Sequence, residues 1–130
     1  MTRRLFLLPL LFAACRAPER AAPALPDAVA GAWRKTATRG LAPAAAPEPL
    51  ARNTVRRAVQ ASYEGPGKAD VTLYELSSSA AALDAVQRWR PMPDTVFFYK
   101  DNLFVVVKWQ GADRKAVGEF VRALEKQLAR

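Results

Sequence analysis

The sequence predicts an α+β domain of two successive ββα units, giving a four-stranded antiparallel sheet with both helices packed on one face. Three observations lead there. Two pairs of β-prone runs are each joined by a short turn, each pair is followed by a helical pattern, and the whole arrangement recurs after about 40 residues.

The first unit opens at Thr54. From there to Glu64, Val55, Val59, Ala61 and Tyr63 recur at period two, the pattern of a half-buried strand. Glu64-Gly65-Pro66-Gly67-Lys68 then forms a turn, because glycine tolerates positive φ and proline interrupts a ladder. Ala69 to Leu76 is the return strand, with Val71, Leu73, Tyr74 and Leu76. Ser77-Ser78-Ser79 supplies hydroxyls that cap the orphan amides of a helix over Ala80 to Trp89. Leu83, Val86 and Trp89 share its apolar spacing, and Pro91 and Pro93 end it.

The second unit repeats the order. Thr95 to Tyr99 and Leu103 to Trp109 are strands joined by a tight Lys100-Asp101-Asn102 turn. The nearly continuous apolar run Phe104 to Val107 points to a central strand covered on much of both faces. Asp113 is suited to cap a final helix reaching about Ala129, whose Val117, Phe120, Val121, Leu124 and Leu128 fall on one stripe.

The chain has 130 residues, enough for one domain. The ordered part is expected to span roughly 75 to 95 residues, large enough to fold alone with a modest margin. Residues 16–50 are rich in alanine and in proline (Pro18, Pro23, Pro26, Pro43, Pro47, Pro49), a composition that stiffens and extends a chain. This divides the chain into a leader at 1–14, a tether at 15–51 and a ββαββα domain at 52–130. Trp33 breaks the tether's composition and is expected to pack back on the domain.

Residues 1–15 have the three parts of an export signal: Arg3 and Arg4, the apolar run Leu5 to Phe12, and small residues before Cys15. The apolar run is far too short to span a bilayer, which takes about 20 residues. Phe12-Ala13-Ala14-Cys15 resembles the lipobox of bacterial lipoproteins, although Phe12 stands where that family prefers leucine. The resemblance implies cleavage between Ala14 and Cys15 and lipidation of the Cys15 thiol, with the new amino terminus open to acylation as well. More than one acyl chain makes such an anchor stable. Arg16, rather than aspartate, follows the cysteine, and this favours the outer membrane over retention at the inner one. The segments Tyr63-Glu64-Gly65, Leu73-Tyr74-Glu75-Leu76, Ala82 to Trp89 and Leu103 to Val107 are also similar to an uncharacterised family of small secreted bacterial domains. That likeness covers about half of the chain and implies no activity.

Composition narrows the chemistry. The formal charge is +8, and +6 without Arg3 and Arg4 (18 basic against 12 acidic side chains). In an exported chain such a balance points to anionic envelope components rather than nucleic acid. With no histidine, the usual general base near neutral pH and the commonest metal ligand are missing. Cys15 is the only cysteine, so no internal disulfide forms, and a lipidated thiol is no nucleophile or metal ligand. The carboxylates of Glu64, Glu75, Asp101, Asp113, Glu119 and Glu125 stand singly, whereas acid–base work needs a pair with pKa values pushed apart. Gly65-Pro66-Gly67 joins two strands and so does not cradle phosphate at a helix start. The expectation is a chain without catalytic activity, cofactor or metal.

A binding surface is the remaining candidate. Arg88, Trp89 and Arg90 set two guanidinium groups beside an indole at a helix end, and Trp109 follows a strand that returns nearby. Trp33 is the further candidate, lying over a bare sheet face that carries Arg56, Thr72, Tyr74, Phe104 and Lys108. Two readings follow: an interaction or scaffold module of the cell envelope, or a carrier or sensor of a small amphiphilic or anionic ligand. An apolar cavity between the layers would favour the carrier, and a filled interior the scaffold.

Overall fold

The computed structural model describes residues 24–47, 50 and 54–128. The predicted leader, the cleavage site at Ala14 and Cys15 lie outside them. At the centre stands the first hairpin, β3 (Val55–Glu64) and β4 (Lys68–Leu76), in continuous register from Glu64 opposite Lys68 to Arg57 opposite Glu75. Its turn needs both glycines for closeness of approach. A Cβ on Gly65 would lie 2.3 Å from the carbonyl oxygen of Ala32, and one on Gly67 would lie 2.6 Å from that of Gln110.

The second hairpin, β5 (Thr95–Lys100) and β6 (Leu103–Gln110), pairs through β6 with β4. Two further strands come from the stretch read as tether: β1 (Ala28–Val29) and β2 (Trp33–Leu41). The sheet therefore has six strands, not four, in the order β1-β2-β3-β4-β6-β5, every neighbouring pair antiparallel. It starts at Ala28, well before Arg52. β2 escaped notice because Trp33 is the only buried residue among its nine.

The helices form where expected. In α1 (Ser79–Arg88) the Ser78 hydroxyl accepts the Ala81 amide at 3.0 Å, and in α2 (Arg114–Gln127) the Asp113 carboxylate accepts the Ala116 amide at 2.8 Å. Each bond satisfies one of the orphan donors of a first turn.

The helices do not share a face. Side chains alternate along a strand, so neighbouring residues point to opposite sides of the sheet. Val71, Leu73, Val105 and Val107 form one core with Phe120 and Leu124 of α2 and Leu128 just after it. Tyr74, Leu76, Phe104 and Val106 form the other with Ala82 and Ala85 of α1. The result is three layers, with the sheet in the middle. A register shift between Val55 and Arg57 adds a second departure. It turns Val55 into the α1-side core, while Ala61 and Tyr63 stay on the α2 side.

Candidate functional site

The five surface candidates do not come together. Trp33 is only 1% exposed and sits in the α2-side core, edge-on to Phe120 with ring centroids 4.9 Å apart. It packs on the domain as expected, but from within the sheet and with no surface to offer a partner. Trp89 lies on the other side of the sheet, half-buried against Phe104 at 4.9 Å and Phe97 at 6.4 Å. Its indole closes the end of the α1-side core. Arg88 is tied one turn back to Asp84 at 3.1 Å, an exposed pair of the kind worth only a few tenths of a kcal/mol. Arg90 is exposed.

The sheet face expected to be bare is bare only in part. Tyr74 and Phe104 are buried beneath α1, and burial raises the Tyr74 phenol above its ordinary range. Towards the other end of the same face the strands carry polar side chains in rows. One row runs Arg39, Gln60 and Thr72: Arg39 donates twice to the side-chain Oε1 of Gln60, at 3.1 and 2.9 Å, and the side-chain Nε2 of Gln60 donates to the Thr72 hydroxyl at 3.1 Å. The next runs Ala37, Ser62, Asp70, Lys108 and Thr95, with the Ser62 hydroxyl donating to Asp70 at 2.8 Å.

This polar end forms an open groove of about 610 Å³, lined by Ser62, Asp70, Lys68, Lys108, Trp109 and Met92 among others. Of the five candidates, Trp109 is the one the groove includes. Glu64, Asp70 and Asp94 face Lys68 and Lys108 here, so the groove holds three carboxylates against two ammonium groups. That balance does not make an anion trap. Sequence reasoning named Thr72, Lys108 and Trp109 but missed Gln60, Ser62, Lys68 and Asp70, although Gln60, Ser62, Glu64, Lys68, Asp70 and Thr72 are polar at period two. Only the strand register shows that they share one face.

Two buried polar groups lie elsewhere. Glu75 is 6% exposed, and its Oε1 lies 3.5 Å from Arg57 Nε without a hydrogen bond. Tyr63 donates to the carbonyl of Pro26 at 2.6 Å, and burial, with a smaller contribution from Asp27, raises its pKa. Both are explained by packing and pairing at their own positions. Among the described residues no three histidine, cysteine or carboxylate side chains converge as metal ligands would, and no helix is long and apolar enough to cross a membrane. Comparison with protein-family models, with characterised proteins and with solved structures finds no match to this chain.

Proposed function

We propose that this chain is a non-catalytic lipoprotein of the cell envelope, anchored through Cys15, whose folded part is an interaction or scaffold module. The observation that carries the second half of this reading is the filling of both interlayer spaces by aromatic rings. Trp33, Tyr63 and Phe120 pack edge-on at 4.9 and 5.3 Å on one side of the sheet, and Trp89, Phe97 and Phe104 pack on the other. A carrier of an amphiphile needs an apolar cavity there. The grooves that the described residues line open instead on the surface of the sheet, among hydroxyls, amides and charges. The anchor rests on Phe12-Ala13-Ala14-Cys15 and on the cationic and apolar segments before it.

Two measurements test the halves separately. Mass spectrometry of the membrane fraction should find a chain beginning at Cys15 and carrying acyl groups; an unmodified Cys15 removes the anchor. Affinity capture from native envelope should retain a component with the wild type that is lost with Lys108→Glu and Asp70→Lys. If all three chains retain the same components, the polar groove is not the contact surface.

A further inference from the structure

The two edges of the sheet are built differently. At the β1–β2 edge, β1 pairs only with Trp33 and Arg34, and the rest of β2 is guarded by a register shift between Lys35 and Ala37 and by the exposed Arg39. Short edge strands, bulges and basic side chains are the devices that keep edges from pairing. At the opposite edge β5 reads Thr-Val-Phe-Phe-Tyr-Lys, keeps unbroken register with β6 and carries one charge, at its last residue. The large apolar residues exposed among the described residues belong to β5 and the segments next to it in the chain or packed on it: Tyr99 on β5, Met92 just before it, and Leu83 on α1, which packs over β5 and β6.

The hydrogen-bond phase shows what β5 presents outward. The amide of Trp109 donates to the carbonyl of Asp94 at 3.1 Å, which makes Asp94 and Trp109 a hydrogen-bonded pair one step beyond Thr95 and Lys108. Antiparallel pairs alternate, so Val96, Phe98 and Lys100 bond inward to β6. Thr95, Phe97 and Tyr99 turn their N–H and C=O groups to the open side, where no other described segment bonds to them.

From this we infer that β5 is a self-association edge, pairing antiparallel with β5 of a second copy about a two-fold axis beside Phe97. One register uses all three outward residues. It sets Phe97 opposite the partner's Phe97 and Thr95 opposite the partner's Tyr99, each pair exchanging both its bonds. The same register places Asp94, the residue just before the strand, opposite the partner's Lys100 at both ends of the seam, so these two charges complement each other across it. Val96 meets the partner's Phe98 on the α2 side. Strands about 4.8 Å apart, with α1 lying over β5 and β6, bring the two α1 helices to roughly 10 Å, an ordinary helix packing distance. The six strands of each copy become one continuous sheet. This pairing goes beyond the proposed envelope role and needs neither export nor lipid.

The test uses the full chain bearing Thr95→Cys and Tyr99→Cys together, beside each single variant, under mild oxidation. Hydrogen-bonded partners stand about 5.5 Å apart at Cα, within disulfide range, whereas residues four apart on one strand do not. All three are made in a Cys15→Ser background, so that no native thiol can cross-link; the double variant is expected to form a covalent dimer and each single variant to stay monomeric. Sedimentation of the unoxidised wild type should show mass doubling with concentration. Tyr99→Pro, which removes an outward amide and leaves the β6 ladder intact, should stay monomeric with unchanged circular dichroism. Failure of the double variant to cross-link overturns the proposal, as does cross-linking of the single variants to the same extent. A wild type that stays monomeric up to about 100 μM overturns it as well.

Discussion

Replacing Trp33 by alanine measures whether the N-terminal strand pair belongs to the folding unit. The indole is 1% exposed, lies edge-on to Phe120 at 4.9 Å, and shares its core with Val29, Tyr63 and Leu25. A buried tryptophan removes up to about 250 Å² from water, which at about 25 cal/mol/Å² is an upper value near 6 kcal/mol. A realistic unfolded chain already hides roughly 10–40% of that area, and alanine retains its methyl group. The expected loss is therefore about 3 to 5 kcal/mol, in the range of other buried aromatic truncations. Against a total stability of about 5–15 kcal/mol this is a large fraction, and it should lower Tm by roughly 15 to 30 °C. Urea unfolding followed by far-UV circular dichroism is the assay, with the slope m expected to stay constant. Trp33→Phe should recover much of the loss. A cooperative transition within about 1 kcal/mol of wild type for Trp33→Ala would refute the placement of β1 and β2 in the folded core.

Three further outcomes are expected. Gly67→Ala and Gly65→Ala should each cost about 2 kcal/mol or more in chemical denaturation, since the new Cβ would press on the backbone of Gln110 or Ala32; Gly40→Ala, with nothing within 4 Å of its new Cβ, is the neutral control. Asp113→Ala should lower stability by about 1 kcal/mol through loss of the Ala116 amide bond, and Ser78→Ala by a similar amount at α1. Tyr63 is neutral in the folded state to a higher pH than its usual value of 10.0, so the unfolded chain releases that proton first. Its contribution to stability is complete below pH 10 and declines as pH rises beyond that value. Tyr63→Phe should lose about 1 kcal/mol near neutrality with the Pro26 bond, and should show a shallower alkaline decline than wild type.

The hairpins and helices were legible because each carries its own local signal. Gly65-Pro66-Gly67 marks one turn, Ser78 and Asp113 cap the helices, and the Val117 to Leu128 stripe defines α2. β2 was not legible. An edge strand buries little, so Trp33–Leu41 shows neither period two nor enrichment in apolar residues beyond its first position. The layer arrangement was half legible. Phe104 to Val107 is apolar at every position, and a strand covered on one face has no use for such a run. The same holds for Val71, Leu73, Tyr74 and Leu76, which divide between the two cores. Together they require cover on both sides, and the two helices supply it. The candidate surface suffered from the same gap. Trp33 and Trp89 are aromatic residues flanked by arginine in the sequence, but both are consumed by packing. The polar groove is assembled by register across five strands, which no local pattern encodes.

The short β1 has a mechanical consequence. Residues 25–28, close to the start of the described chain, are held by several independent contacts. Leu25 is buried; its carbonyl accepts from Lys35 Nζ at 3.0 Å, and that of Pro26 accepts from Tyr63 at 2.6 Å. The carbonyl of Asp27 accepts the Lys35 amide at 2.8 Å, and that of Ala28 accepts from Gln127 at the end of α2 at 3.2 Å. Tension applied through the N-terminal segment enters at the rim of the sheet, where an unfastened strand would peel away one pair at a time. These contacts spread the load into β2, β3 and α2 together, so the domain resists a pull from that end as a block.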